Sequence, residues 1–339
     1  MAKSKAAKRR GRQAALSTQV KLGLIAVGAV SLGIVIGLAL RPSAPERTAA
    51  RAPVEPASRL AAPDTLTPPP KPPEPVREAA LPPAPPSPPA AQPQPQGGLP
   101  PWQRYAIPTP VFDGRPRIAL VIDDVGVDRR RSARAIGLPP QVTLAFLPYP
   151  DDVAAQAARA RAAGHELLVH LPMQPDDLAH NDPGPNALLV GLSATELHRR
   201  LVWDLDRFGD YVGVNNHMGS RFTSNVALME PLLEELKSRG LLFLDSRTSP
   251  ASVGAGLAER LGIPTTTRDI FLDNDDHTDK VTAELAVLER VARRQGHAVA
   301  IGHPHEGTLD ALDHWLPTLA ARGFVLVPLT AVVTHPANG

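Results

Sequence analysis

The chain has 339 residues, with 36 Lys and Arg against 34 Asp and Glu, a formal charge of +2 at pH 7, and no cysteine. So small an excess, with no basic stripe interleaved with aromatics, argues against a nucleic-acid partner. The lack of thiols excludes thiolate metal sites, cysteine nucleophiles and disulfide staples, so a metal could be held only by His, Asp or Glu.

The basic excess is concentrated at the start, in Lys3, Lys5, Lys8, Arg9, Arg10 and Arg12. Residues 22–40 then run without a charge between Lys21 and Arg41, long enough to cross a bilayer as a helix. The pattern predicts a basic cytoplasmic segment over 1–21 and a transmembrane helix over 22–40. That helix anchors the chain in an inner membrane with its bulk in the periplasm. A cleaved signal peptide is the competing reading, but the run is long for a signal core and no small-x-small site precedes the prolines. A basic tail followed by a buried core helix is the third. Most of the 39 prolines fall between Pro42 and Pro110. Residues 41–114 therefore read as a disordered, extended linker, rising about 3.1 Å per residue where it is polyproline-like.

From 115 to 339 strand and helix patterns alternate. Strands are expected at 117–122, 142–146, 166–170, 211–214, 241–244, 265–272, 298–301 and 324–328. Helices are expected at 128–136, 152–163, 193–208, 225–239, 252–261, 278–295 and 308–321. Ser193-Ala194-Thr195-Glu196 reads as a capping box and Gly164 as a helix C-cap. Continuous apolar strands alternating with helices predict an α/β fold, a distorted (β/α)7-8 barrel of parallel strands. No Gly-x-Gly-x-x-Gly follows the first strand, which speaks against dinucleotide binding. No Gly-x-Ser-x-Gly elbow marks a serine nucleophile.

Six apolar runs end in residues that do chemistry, and in a barrel such ends open on one face. Asp123-Asp124 follows the first; one carboxylate of such a pair can bind a cation while the other activates a water. His170 ends a buried strand, where an imidazole needs a partner and a metal is the obvious one. His165, just past a helix, reads as packed or exposed. In Asn215-Asn216-His217-Met218-Gly219-Ser220-Arg221, His217 is a candidate third ligand, with Asn216 and Arg221 as donors to substrate. Asp245 opens Asp245-Ser246-Arg247, in which Arg247 is a further substrate candidate, and could orient a histidine or the base. His303, in Gly302-His303-Pro304-His305, is a candidate acid for a leaving amine, and His305 a neighbouring site residue. The run 273–277 lacks the EF-hand spacing and reads as a solvated loop, although Asp273 itself ends a strand.

The fragments 118–126 (IALVIDDVG), 213–221 (GVNNHMGSR), 242–248 (LFLDSRT) and 300–304 (AIGHP) resemble the divergent polysaccharide deacetylases, the YibQ-like group. These are distant relatives of the NodB-homology carbohydrate esterases. The resemblance covers 115 to about 333. It implies a distorted barrel of about seven strands and removal of acetyl groups from a cell-envelope glycan by water on a divalent metal, zinc by preference. Carried onto this chain, it makes Asp123 the catalytic base, Asp124 and His170 metal ligands, His303 the catalytic acid and Asp245 its support. Two positions depart from the pattern. Val125 displaces the glycine after the Asp pair, and Gln174 stands where the ordinary enzymes carry a second metal histidine, leaving His217 as the candidate replacement. The alternative is a non-catalytic periplasmic glycan-binding or scaffold protein that retains the barrel.

Overall fold

A computed structural model of the chain describes residues 98–334. The expected basic segment 1–21, the span 22–40 and most of the linker lie outside the described residues. Among the described residues no helix is long and apolar enough to cross a membrane.

Nine strands form one sheet: β1 (Arg117–Val125), β2 (Thr143–Phe146), β3 (Leu167–Met173), β4 (Gly213–Met218), β5 (Leu242–Asp245), β6 (Thr265–Thr267), β7 (Ile270–Phe271), β8 (His297–Gly302) and β9 (Val325–Val327). Their order is β6-β5-β4-β3-β2-β1-β8-β7, with β9 also on β1, and all pairings are parallel. Helices connect them: α1 (Pro101–Arg104), α2 (Arg129–Ile136), α3 (Val153–Ala162), α4 (Ala194–Leu205), α5 (Val226–Ser238), α6 (Gly254–Leu261), α7 (Thr278–Gln295) and α8 (Glu306–Trp315). The result is a curled parallel α/β sheet, consistent with a distorted barrel.

The apolar runs are continuous because the strands are buried on both faces. In β1, Ile118, Leu120 and Ile122 pack outward among helix residues such as Leu285 and Leu312. Ala119 and Val121 point to a separate inner cluster with Ala145, Leu168, Val299 and Ile301. Caps set the helix starts where expected: Asp128 accepts from the backbone N–H groups of Arg130 and Arg131, and Asn225 from Ala227. Only half of the predicted capping box forms. Ser193 Oγ accepts from Glu196 N at 3.2 Å, while the Glu196 carboxylate turns away to Arg199 and Arg200.

Three expectations need correction. The single strand at 265–272 is two short strands, because the chain changes partners midway: β6 pairs with β5 and β7 with β8. Between them Arg268 N still donates to Asp245 O, whereas Asp269 N donates to Val299 O. This switch stitches the two ends of the sheet path together. The helix expected at 308–321 starts earlier and its α-helical part ends at Trp315, followed by a 3-10 turn at Leu316–Thr318 that contains Pro317, which has no N–H to donate. Finally, the linker does not run free to 114. Trp102 N donates to Gly240 O, Ile107 N donates to Glu166 Oε1, and the Tyr105 carbonyl accepts from Arg161, so residues from about 100 onward belong to the base of the sheet.

Candidate metal and catalytic site

The site opens at the C-terminal ends of the strands and begins with a bulge. The β1–β2 register steps from Ile122↔Leu144 to Val125↔Phe146, so β1 spends three residues where β2 spends two. A bulge re-aims side chains, and Asp123 and Asp124 both approach His170 Nε2, at 3.5 and 3.3 Å. The turn holds Asp124 at φ +55 and Gly126 at φ +115. The second conformation suits only glycine, so Gly126 supplies the freedom that Val125 cannot.

His170 lies on β3 and His217 on β4. Asp124 Oδ1 is 3.0 Å from His217 Nδ1 and 3.3 Å from His170 Nε2, and the two ring nitrogens are 3.2 Å apart. Donors on a tetrahedral ion with bonds of about 2.1 Å are separated by roughly 3.4 Å, and cis donors on an octahedral one by roughly 3.0 Å. The observed triangle falls between the two. Asp124 Oδ1 is also buried without a hydrogen bond, a costly state for a carboxylate oxygen unless a cation meets it. The three side chains therefore fit a divalent metal, and nitrogen–oxygen donors of this kind suit zinc.

Polarity propagates through Asn215. Its Nδ2 donates to both oxygens of Asp123, at 2.9 and 3.0 Å, and to Ser246 Oγ. That fixes its Oδ1 toward His170 Nδ1 at 2.9 Å. His170 must then carry a proton on Nδ1, which leaves Nε2 as the position facing Asp124 and open to a metal. Asn215 is set beside His170 by the β3–β4 register.

The paired carboxylates are driven apart electrostatically. Burial raises the Asp123 carboxyl above its usual range, only partly offset by His170, His303 and Asn215. Burial acts on Asp124 in the same direction, but contacts with His170 and His217 outweigh it and hold this group well below the usual range. One neighbour is a poised proton acceptor and the other a firm anion, the division expected of an acid–base pair.

His303 follows β8 and pairs with Asp273, not with Asp245. Its Nδ1 lies 3.0 Å from Asp273 Oδ1, and its backbone N and Thr308 Oγ1 donate to Asp273 Oδ2. Burial alone would lower the imidazole, but the Asp273 hydrogen bond and the charges of Asp124, Asp273 and Asp123 push it up to about 9. Nε2 faces Asp124 Oδ2 at 3.9 Å. Asp245, assigned in the sequence to support His303, instead accepts from Arg247 N, Ser252 Oγ and Ala255 N, and so ties down the entry to α6. The reason is topological: β5 lies between β4 and β6, whereas Asp273 follows β7, the strand paired with β8.

The remaining candidates divide. Asn216 is buried, and its amide is spent on Met218 O, Thr248 Oγ1 and Ser246 N, which leaves it braced between strand ends and not facing substrate. Arg221 and Arg247 are exposed. His305 stacks against His303, with ring centroids 5.6 Å apart. Gln174 is nowhere in the donor triangle: its Oε1 accepts from Val190 N at 2.7 Å, closing the 174–190 loop, and β4 provides the third donor through His217. His165 is fully buried, with both ring nitrogens on backbone carbonyls of Val142 and Ile136.

The site thus combines a parallel, helix-wrapped sheet with an Asp-His-His corner that could hold a metal, a buried carboxylate and a carboxylate-held histidine. The sequence profile described as divergent polysaccharide deacetylase matches residues 120–333, and the chain belongs to that family. It is 31% identical over 231 residues to the uncharacterized protein YibQ of Escherichia coli K12, covering 68% of this chain and 71% of that one. An uncharacterized protein of Haemophilus influenzae Rd is 34% identical over 203 residues, covering 60% of this chain and 72% of the relative. Among solved structures, an uncharacterized protein from Agrobacterium tumefaciens C58 superposes with a TM-score of 0.67 at 33% identity, over 70% of this chain and 96% of that one.

Proposed function

We propose that the chain is a metal-dependent hydrolase that removes acetyl groups from a cell-envelope polysaccharide. Asp124, His170 and His217 would hold the divalent cation, zinc by the donor set. When bound, such an ion lowers the pKa of a water and polarises the acetyl carbonyl. Asp123, raised by burial, takes the proton of the attacking water, and Asn215 holds it in place. His303 is still protonated at neutral pH, because it is pushed up to about 9, and it delivers a proton to the departing amine or alkoxide. Asp273 aims it by fixing Nδ1. Residues 22–40 would anchor this domain to the inner membrane with the barrel in the periplasm, where such glycans lie.

The observation that carries this reading is the buried Asp124 Oδ1, without a hydrogen bond, at the corner of a donor triangle with sides of 3.0–3.3 Å. Family membership supports the choice of acetyl transfer to water over other metal hydrolysis. The binding-protein alternative leaned on Gln174, and that residue has a structural task of its own while His217 stands in the metal corner. The test combines elemental analysis of the purified protein with acetate release from chitooligosaccharides and peptidoglycan fragments. About one zinc per chain and a release that Asp123→Asn cuts about 10²–10⁴-fold are expected. Stoichiometric zinc with no release from any acetylated glycan would return the protein to the binding class.

A further inference from the structure

Arg268 sits where the chain passes from β6 to β7, half-buried, and all its contacts are uncharged. Nε donates to Ser246 O at 2.7 Å, Nη2 donates to Arg247 O at 2.9 Å, and the guanidinium lies over the Phe271 ring, 5.0 Å from its centroid. Among the described residues no carboxylate forms an ion pair with it and nothing is bonded to Nη1. Arg134, Arg200 and Arg239 by contrast each meet an Asp or Glu. The carboxylates whose charge reaches Arg268 are Asp123, Asp245 and Asp269, and each is held by other donors: Asn215, the entry to α6, and Val299 N respectively. Burial accordingly pushes the guanidinium below its ordinary value. A partly desolvated cation without a counter-ion is costly, and a site that keeps one has a use for an anion.

Its place relative to the reacting groups gives that anion an address. Ser246, whose carbonyl holds Arg268, accepts through Oγ from the same Asn215 amide that holds Asp123. Phe271, under the guanidinium, packs edge-on against His303 at 5.3 Å. Arg268 is therefore linked by short contact chains to both the base and the acid. Arg247 adds a second, exposed guanidinium at the rim, with its backbone turned at φ +48 and its carbonyl on Arg268.

We propose that Arg268, with Arg247, forms an anion subsite, so that the substrate is an acidic N-acetylated glycan carrying a carboxylate near the scissile acetyl group. This deepens the hydrolase reading and rests on it. The guanidinium edge left open at Nη1 suits a carboxylate, and the charge of the exposed Arg247, which reaches Arg268, adds to the attraction.

The test reads binding without turnover, in the full chain carrying Asp123→Asn and loaded with zinc. Isothermal titration compares three oligosaccharides of equal length: a neutral chitooligosaccharide, one containing N-acetylmuramic acid, and the methyl ester of the latter. The acid should bind about 10–100-fold more tightly than its ester. That gap should shrink below threefold in Arg268→Gln, narrow partly in Arg247→Gln, and persist in Arg260→Gln on the outer helix α6. If Arg268→Gln does not fold, Arg268→Lys, which keeps the charge but not the fork, should leave a reduced gap. Equal affinity for acid and ester, or a gap that survives Arg268→Gln, overturns the subsite. Acid selectivity in a protein that releases no acetate sinks the hydrolase reading and leaves the subsite standing; equal acetate release from acidic and neutral glycans does the reverse.

Discussion

The two ends of the sheet each bury a carboxylate and a histidine, and treat them in opposite ways. At the N-terminal ends of the strands, Glu166 accepts from Ile107 N, Thr330 N and Thr330 Oγ1, and both nitrogens of His165 meet carbonyls. That end is saturated. At the C-terminal ends Asp124 Oδ1 has no donor, Asp124 sits in a left-handed conformation, and two histidines crowd it. The lower end spends its polar groups on closure, tying the 98–107 segment and the 3-10 turn at Leu329–Val332 to β3, while the upper end leaves one carboxylate oxygen, Asp124 Oδ1, without a hydrogen bond. In parallel barrels chemistry belongs to the C-terminal face and stability to the other. The difference teaches that burial alone does not mark a working residue; an unmet valence where other donor atoms converge does.

Mutations should separate the two ends, and the largest effect belongs at the metal corner. Asp124→Asn or His170→Ala should remove zinc and cut acetate release on the order of a thousandfold or more, with little change in the unfolding midpoint measured in chelator. Asp123→Asn should cost about 10²–10⁴-fold in turnover while zinc content stays near one per chain; loss of zinc together with activity would place Asp123 among the ligands. Asn215→Ala should weaken zinc retention about 10–100-fold against a competing chelator, since it fixes the tautomer of His170. At the lower end, Glu166→Leu strands two backbone N–H groups and should destabilise by roughly 1–3 kcal/mol for each in urea titration. Activity per folded molecule should be retained there, and a selective loss of activity would break the comparison.

The smallest effect concerns Asp204 on α4, buried at neither end, with Oδ2 unpaired and a single long bond from Asn186. Burial raises its carboxyl well above the ordinary 3.8. The folded protein thus keeps a proton that the unfolded chain gives up, so this group's contribution is full below about pH 4 and is lost as pH climbs toward the folded-state value. Asp204→Asn should therefore gain stability relative to the parent as pH rises from 4.5 to 7.5, by roughly 1–2 kcal/mol, read as a widening difference in urea midpoints.

Much of this was legible in the sequence because apolar runs buried on both faces are conspicuous and their ends name the residues at the mouth. Asp123, Asp124, His170, His217 and His303 all follow such runs, and the structure gathers them. Two things were hidden. The partner of His303 depends on which strands lie side by side, and the run at 265–272 conceals a change of partner at Arg268 and Asp269 that puts Asp273 beside His303 and leaves Asp245 on β5, which is not a neighbour of β8. Asn215 received no role beside the more conspicuous His217. The available signal was alternation: residues 215 and 217 share one face of β4, so an amide on the metal side of that strand has something to orient. Asn216, between them, faces the other way.

On the proposed metal reading, drawing the third donor from β4, instead of from four residues beyond His170, has a consequence for how the cation and the chain depend on each other. No contiguous peptide carries the chelate; Asp124, His170 and His217 meet only once three separate strands have taken their register. Zinc uptake should thus report the completed tertiary structure and not a local loop, and a circular dichroism melt and a zinc-release melt should share one midpoint.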